Sequence, residues 1–288
     1  MDTIAILGIG AMGARMAARL LCAGHSVTVY NRTPSRCEPL VEQGATLAAS
    51  PREAASKADV VISMVRDDAA SRAVWFDPQT GALAGLRAGA LAIESSTLTP
   101  AWIAELGAAL GQRGVELLDA PVAGSRPQAE AGALIYLVGG SPESLDRARP
   151  LLEHMGGKIV HAGPRGAGAN LKLAVNASFA IGVAAFAELA AMLERAGFER
   201  GAAIEMLAAM PVTSPAVAGV AKLIAAEAYA PLFPVELVEK DLDYGAKTAS
   251  ASGGEAPMTA AAREVYARAL ASGWGSENIH AIAKLHAS

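Results

Sequence analysis

Three residues in the middle of the chain have types and a spacing suited to proton transfer. Gly168, Lys172 and Asn176 follow one another at intervals of four within GAGANLKLAVN, residues 166–176. On a helix that interval stacks them along one face, about one turn apart. The glycine leaves room for a ligand, the lysine can give or take a proton, and the asparagine can hold the lysine or a substrate oxygen. A lysine serves this purpose when its pKa is pulled toward neutrality. Lys172 has two reasons for such a shift: it lies in the first turns of a helix, where the dipole opposes positive charge, and it faces a cleft that a bound ligand would dry. Taken alone, the same residues also fit a glycine-rich loop followed by a helix with one snorkelling lysine.

The elements before this stretch narrow the choice. Thr3–Leu7 is a β-type run that leads directly into Gly8-Ile9-Gly10-Ala11-Met12-Gly13; a helical pattern follows to about Ala23, Gly24 ends it, and Val27–Tyr30 is the next strand. This is G-x-G-x-x-G between a strand and a helix, the context in which it binds a dinucleotide. The first glycine makes the turn, the second admits the pyrophosphate, and the third lets helix and strand pack closely. The helix N-terminus offers N–H groups and positive potential to the phosphates.

The end of the second strand selects the cofactor. An NAD-binding chain usually carries Asp or Glu there, about 20 residues on; this chain has Asn31-Arg32-Thr33, with Arg36 nearby. Arg32 can pair with a 2′-phosphate, and Asn31 and Thr33 can donate hydrogen bonds to it. The expected cofactor is therefore NADP(H), with NAD(H) as the other possibility.

Strands and helices then alternate as in a doubly wound α/β sheet. Strands are expected at Val60–Met64, Leu91–Ile93, Val115–Leu118, Ala133–Val138 and Lys158–Val160, and helices at Pro100–Gln112 and Pro142–Met155. Ligands in such sheets gather at the carboxyl ends of strands, which makes Met64, Val65 and Thr97 candidates to line the cofactor. Asp119–Arg126 reads as an irregular turn around Pro121 and Gly124, where backbone N–H groups near Gly124 and Ser125 could bind a carboxylate. After Asn176 the pattern is alanine-rich and helical, with helices expected at 177–195, 200–210, 216–226, 235–250 and 259–272. The expected division is a Rossmann domain over residues 1–164 and an all-helical domain over 165–288. Lys240 and Tyr244 share a helical face.

Composition bounds the rest. The 288 residues are 52% apolar but only 5% aromatic, and the net charge of −4 comes from 24 basic and 28 acidic residues well mixed along the chain. That balance gives no nucleic-acid surface. Two cysteines, Cys22 and Cys37, provide neither a disulfide framework nor a metal spacing, so a reducing, cytoplasmic compartment is expected. The chain opens without a basic n-region, and no signal peptide is expected. The apolar stretch between Lys172 and Glu188 falls short of the roughly 20 residues a bilayer span needs, so it is read as a helix buried in protein.

Four motifs in order give the chain a resemblance to the β-hydroxyacid dehydrogenase family over essentially its whole length. They are Gly8-x-Gly10-x-x-Gly13; Asp119 to Ser125, similar to the family's D-A-P-V-S-G-G; Gly166-x-Gly168-x-x-x-Lys172-x-x-x-Asn176; and Lys240-Asp241-Leu242. The resemblance implies a long helix joining the two domains, a cleft for a small acid substrate between them, Lys172 as the catalytic lysine and Asn176 as its neighbour at the substrate. It implies Thr97 near the nicotinamide, Lys240 at cofactor or substrate, and Asp241 and Phe233 nearby; NADP-preferring members resemble this chain at Asn31-Arg32-Thr33. Two departures stand out. The family serine is Ala123 here, which removes one hydroxyl donor, and the motif's last glycine is Ser125, followed by Arg126, as in the glyoxylate/succinic semialdehyde reductase branch. Ser125 or Arg126 are the available replacements for the lost donor. The leading expectation is an NADPH-dependent reductase of small aldehyde acids. The alternatives are oxidation of 3-hydroxyisobutyrate or serine, reduction of an imine, and a dinucleotide-binding module without catalysis. An alanine-rich helical half suggests a homodimer or homotetramer.

Overall fold

The structure, a computed structural model, describes residues 2–286. The chain divides into two compact units, residues 1–172 and 173–288.

The first unit is built on one sheet. Its strands are β1 (Thr3–Leu7), β2 (Ser26–Tyr30), β3 (Thr46–Leu47), β4 (Val60–Ser63), β5 (Leu91–Glu94), β6 (Glu116–Asp119), β7 (Val122–Ala123), β8 (Leu134–Gly139) and β9 (Gly156–Gly163), in the order β3-β2-β1-β4-β5-β6-β8-β7, with β9 also on β8. From β3 to β6 every pairing is parallel. The central strands are buried on both faces, which is why they read as continuous apolar runs such as Val60–Ile62 rather than as alternating ones. The chain reverses at β8, which runs antiparallel to β6 and β7 and parallel to β9. The sheet is thus doubly wound with a mixed edge. The sequence reading treated residues 119–126 as an irregular turn, but Val122 and Ala123 pair there with Tyr136 and Ile135. Two residues are too short to carry a readable alternation.

Helices α1 (Gly13–Cys22), α2 (Glu38–Val41), α3 (Pro51–Ser56), α4 (Asp68–Phe76), α5 (Pro100–Gly111), α6 (Arg126–Ala131) and α7 (Pro142–Glu153) complete this unit. Several starts are set by short polar side chains. Asp67 accepts from Ala70 N at 2.8 Å to begin α4, and Thr99 and Ser141 do the same for α5 and α7. The sequence reading placed no helix at α4, where Asp67 supplies the start.

α8 (Ala167–Arg195) starts in the first unit and supplies the core of the second. It is 29 residues long with a mean hydropathy of 1.7 over its most apolar window, and it ends at Arg195, where the sequence places its end. Its inward residues Ala180, Val183, Phe186, Ala187 and Ala190 pack with Ile204 of α9 (Arg200–Ala208), Val217, Val220 and Ile224 of α10 (Pro215–Ala225), Val235 and Val238 of α11 (Val235–Ala251), and Tyr266 of α12 (Pro257–Ala271). With so few aromatics, alanines on α8 let these helices come close. The buried hydroxyl of Tyr266 donates to Ala180 O at 3.2 Å, which satisfies its one polar atom.

One polar network ties α4 and α5 to the sheet. Glu94 ends β5 fully buried. Its Oε2 accepts from Ser71 Oγ at 2.7 Å and Trp75 Nε1 at 2.9 Å, its Oε1 accepts from Ser96 N at 3.1 Å, and Ser71 Oγ in turn accepts from Trp102 Nε1 at 2.9 Å. Burial raises the Glu94 carboxyl above the ordinary range, against the donors that favour its anion. Glu94→Ala is expected to leave three buried donors without this acceptor and to cost about 3 kcal/mol. Urea unfolding followed by the fluorescence of Trp75 and Trp102 measures this, and an unchanged midpoint would contradict the role.

Candidate active site

The dinucleotide loop lies where the sheet reverses its order, between β1 and its neighbours β2 and β4. Gly8 has φ +104°, and a Cβ there would fall 2.3 Å from Met64 O; a Cβ on Gly13 would fall 2.0 Å from Gly8 O. Both glycines are demanded by packing of the chain on itself. Gly10 differs, because a Cβ there would meet nothing within 4 Å. No side chain caps the first turn of α1, which follows directly through Ala11 and Met12. An open glycine at an uncapped helix N-terminus is a cradle that leaves backbone N–H groups and positive potential for a phosphate, so the residues present fit a dinucleotide.

Neighbouring loops are braced around that cradle. Gly8 N donates to Tyr30 O at 2.8 Å, and Ile9 N donates to Asn31 Oδ1 at 3.1 Å. Asn31 Nδ2 also donates to Thr33 O at 2.9 Å. Asn31 therefore holds the glycine loop to the 31–33 loop, a tighter role than the phosphate donor expected from sequence. Arg32 and Thr33 are exposed at the end of β2. Met64 and Val65 pack on Gly8, and Val65 N donates to Ser96 Oγ at 2.8 Å. Through Ser96 the Val65 loop is tied to buried Glu94 and to the segment that carries Thr97.

The second motif behaves differently from the expectation. Ala123 is paired in β7, Gly124 turns at φ +115°, and Ser125 heads α6. The backbone N–H of Ser125 donates to Gln128 Oε1 at 2.9 Å, which closes a capping box at the start of α6. Asp119, which opens the motif, has a clear structural role. Its fully buried carboxylate accepts from Gly166 N at 2.7 Å through Oδ1 and from Ala169 N at 2.8 Å through Oδ2. It thereby caps α8. Burial raises this carboxyl, and the backbone donors of Gly166 and Ala169 pull the other way.

Gly168 is also reassigned. A Cβ on Gly168 would fall 2.4 Å from Leu137 O and 2.5 Å from Asp119 O. The glycine therefore admits the helix to the ends of β6 and β8, and it does not leave room for a ligand. Lys172 and Asn176 follow on α8 and are buried, at 8% and 7% exposed. A carboxylate at the N-terminus of α8 also offsets the dipole effect that sequence reading assigned to Lys172.

In the second unit Asp241 is a hub. Its Oδ2 accepts from Asn176 Nδ2 at 2.6 Å, and its Oδ1 pairs with Lys240 Nζ at 2.9 Å, with Asp241 itself only 3% exposed. Lys240 also lies 4.7 Å from the centre of the Tyr244 ring. Two other acids of α11 have other uses: Glu239 and Asp243 pair with Arg263 of α12, and Asp243 pairs with Lys247. Lys240 is thus distinguished from the solvated charge face that surrounds it in sequence. Phe233 N donates to Asn278 Oδ1 at 2.9 Å, and Leu232 N to the same atom at 3.2 Å. Asn278 is buried and positions the Phe233 turn, and nothing in its local sequence marks it.

The comparisons with known proteins agree with this geometry. Residues 3–163 match the NAD binding domain of 6-phosphogluconate dehydrogenase, and residues 166–286 match the domain described as NAD-binding of NADP-dependent 3-hydroxyisobutyrate dehydrogenase. An NAD-dependent L-serine dehydrogenase of Pseudomonas aeruginosa is 36% identical over 292 residues, covering 99% of this chain and 98% of its own. Glyoxylate/succinic semialdehyde reductase 1 of Arabidopsis thaliana is 30% identical over 279 residues, with 97% and 96% covered. The solved structure of the Mycobacterium tuberculosis 3-hydroxyisobutyrate dehydrogenase with L-serine superposes with a TM-score of 0.91 at 32% identity, over 100% of both chains. The glycine cradle on a doubly wound sheet, followed by a helical unit, defines a nicotinamide-dependent oxidoreductase. More narrowly, the chain belongs to the β-hydroxyacid dehydrogenase family, as its four motifs led one to expect.

The open space at Gly10 generates a sharp test. Gly10→Leu is expected to leave the melting temperature unchanged and to weaken NADPH binding at least about ten-fold, because its side chain fills the phosphate cradle. Cofactor fluorescence titration measures this, and wild-type affinity would rule out the cradle.

Proposed function

We propose that this enzyme reduces small aldehyde acids to hydroxy acids with NADPH, and that Lys172 is its general acid/base. Bound nicotinamide supplies or accepts a hydride at its C4. In reduction the Lys172 ammonium donates a proton to the substrate oxygen, and in oxidation neutral Lys172 removes it. The observation that carries this reading is the buried pair on α8: Lys172 and Asn176 stand four residues apart, and Asp241 fixes the Asn176 amide through its Nδ2. That bond fixes the plane of the Asn176 amide, whose part in the proposal is to orient the lysine or the substrate oxygen. A dinucleotide-binding module without catalysis has no use for this arrangement. Thr97, Ala123, Gly124, Ser125, Phe233, Lys240 and Asp241 are the further residues assigned to cofactor and substrate. Residues 165–288 act as the substrate and oligomerisation domain.

The NADP(H) preference rests on Arg32, exposed beside a loop without a carboxylate. It favours reduction as the working direction in a cytoplasmic enzyme. Oxidation of L-serine or 3-hydroxyisobutyrate is the second reading, supported by the 36% identical L-serine dehydrogenase. Assembly as a homodimer or homotetramer is supported by Val175, Leu189 and Met192, which lie exposed along α8 at 38%, 40% and 52%. A monomeric mass by light scattering would oppose it.

The chemistry is tested with glyoxylate, succinic semialdehyde, a cyclic imine, L-serine and 3-hydroxyisobutyrate, each with both cofactors. Turnover of an aldehyde acid with NADPH at least about ten-fold more efficient than with NADH is expected; a clear NADH preference would sink the cofactor assignment. Lys172→Ala is expected to bind NADPH normally and lose roughly two to four orders of magnitude in kcat. An unchanged kcat would remove Lys172 from the mechanism.

A further inference from the structure

The fold gives Asp119 a dedicated seat that the proposed proton transfer does not use directly. Its side chain is wholly buried at the end of β6, and both oxygens accept N–H groups where α8 begins, that of Gly166 just before the helix at 2.7 Å and that of Ala169 in its first turn at 2.8 Å. Two glycines keep that seat open. A Cβ on Gly139 would lie 2.5 Å from Asp119 Oδ1, and one on Gly168 would lie 2.9 Å from Oδ2. Lys172 stands three residues beyond Ala169, a rise of about 4.5 Å.

We propose that Asp119 is the positioning residue for Lys172: its carboxylate pins the first turn of α8 to the sheet and so sets where the lysine delivers its proton. The inference rests on the role of Lys172 proposed above. The first four N–H groups of a helix have no partner within it, and helix ends open more readily than cores. A hydroxyl cap satisfies one such group. A buried carboxylate satisfies two with charge-assisted bonds, and here the bonded groups flank the turn immediately before the reacting side chain. Proton transfer requires the donor within hydrogen-bond reach of the substrate oxygen, and a misplacement near 1 Å costs on the order of 100-fold in rate.

Two variants test this with the full-length enzyme and a substrate found in the panel above. Asp119→Asn keeps the volume but turns an amide N–H toward one of the two backbone donors. Gly168→Ala keeps the carboxylate and pushes the helix from its seat. Both are expected to bind NADPH within about two-fold of wild type while kcat falls roughly ten- to 100-fold. The solvent deuterium isotope effect on kcat is expected to rise, because proton delivery becomes slower. Rates are normalised to the fraction that binds NADPH, so loss of folded enzyme is not counted as loss of chemistry. If Asp119→Asn does not fold, Gly168→Ala decides. Wild-type kcat and isotope effect in the folded variants would overturn the inference, as would a loss that disappears on normalisation. The two levels separate cleanly: Lys172→Ala with normal turnover overturns the role of Lys172, whereas a slow Lys172→Ala beside a normal Asp119→Asn overturns the positioning role alone.

Discussion

A buried carboxylate holding two backbone N–H groups fixes the start of the longest helix in the chain. Much of the architecture serves that junction. β6 brings Asp119 to the carboxyl edge of the parallel strands, the edge at which Gly8 turns. β8 then passes it in the opposite direction, with Gly139 directly paired to Asp119. Gly168 lets the helix backbone reach the same place. The glycines of this region are therefore demanded by contact between backbone and carboxylate, and they would be needed with or without a ligand. What they leave for chemistry is a helix whose fourth residue past Gly168 is a buried lysine.

A second buried carboxyl organises the cofactor edge in a related way. Glu94 collects donors from α4 and from the segment after β5, and Ser96 passes that restraint to Val65 N. Asn31 does the corresponding work on the other side of the glycine loop. The loops that meet a dinucleotide are thus fastened by side chains beneath them, which leaves exposed positions such as Arg32 able to vary with the cofactor. In the helical unit Asp241 plays the same part, with Asn176 and Lys240 as the two groups it orders. At Asp119, Glu94 and Asp241 one acceptor side chain fixes the orientation of two or more donors, the arrangement expected where polar groups must be buried without loss of stability.

The fold was readable from sequence because its signals are periodic and local. Strand–glycine–helix at residues 3–22, apolar runs at β4 and β5, and proline or serine helix starts in the second half all depend on neighbours within a few positions. The family was readable where four motifs came in order. What local sequence does not show is which residues are engaged by a group distant in the chain or by a cap, as Gly168, Asn31 and Ser125 are. Gly168 meets Asp119 across 49 positions, and Asn31 meets Ile9 across 22. The capping function of Asp119 and the grip of Asn278 on Phe233 belong to the same class. A lone acid after a strand, or an asparagine in a C-terminal turn, carries no periodicity that says what it will hold.

The central claim is that the ammonium of Lys172 moves the proton, and chemical rescue tests it most directly. Lys172→Ala is assayed with a series of small primary amines of graded pKa and similar size. If the claim is right, added amine restores NADPH-dependent turnover in a saturable way, and the rescued rate varies systematically with amine pKa. A rate indifferent to amine concentration and pKa would contradict it and place proton transfer elsewhere.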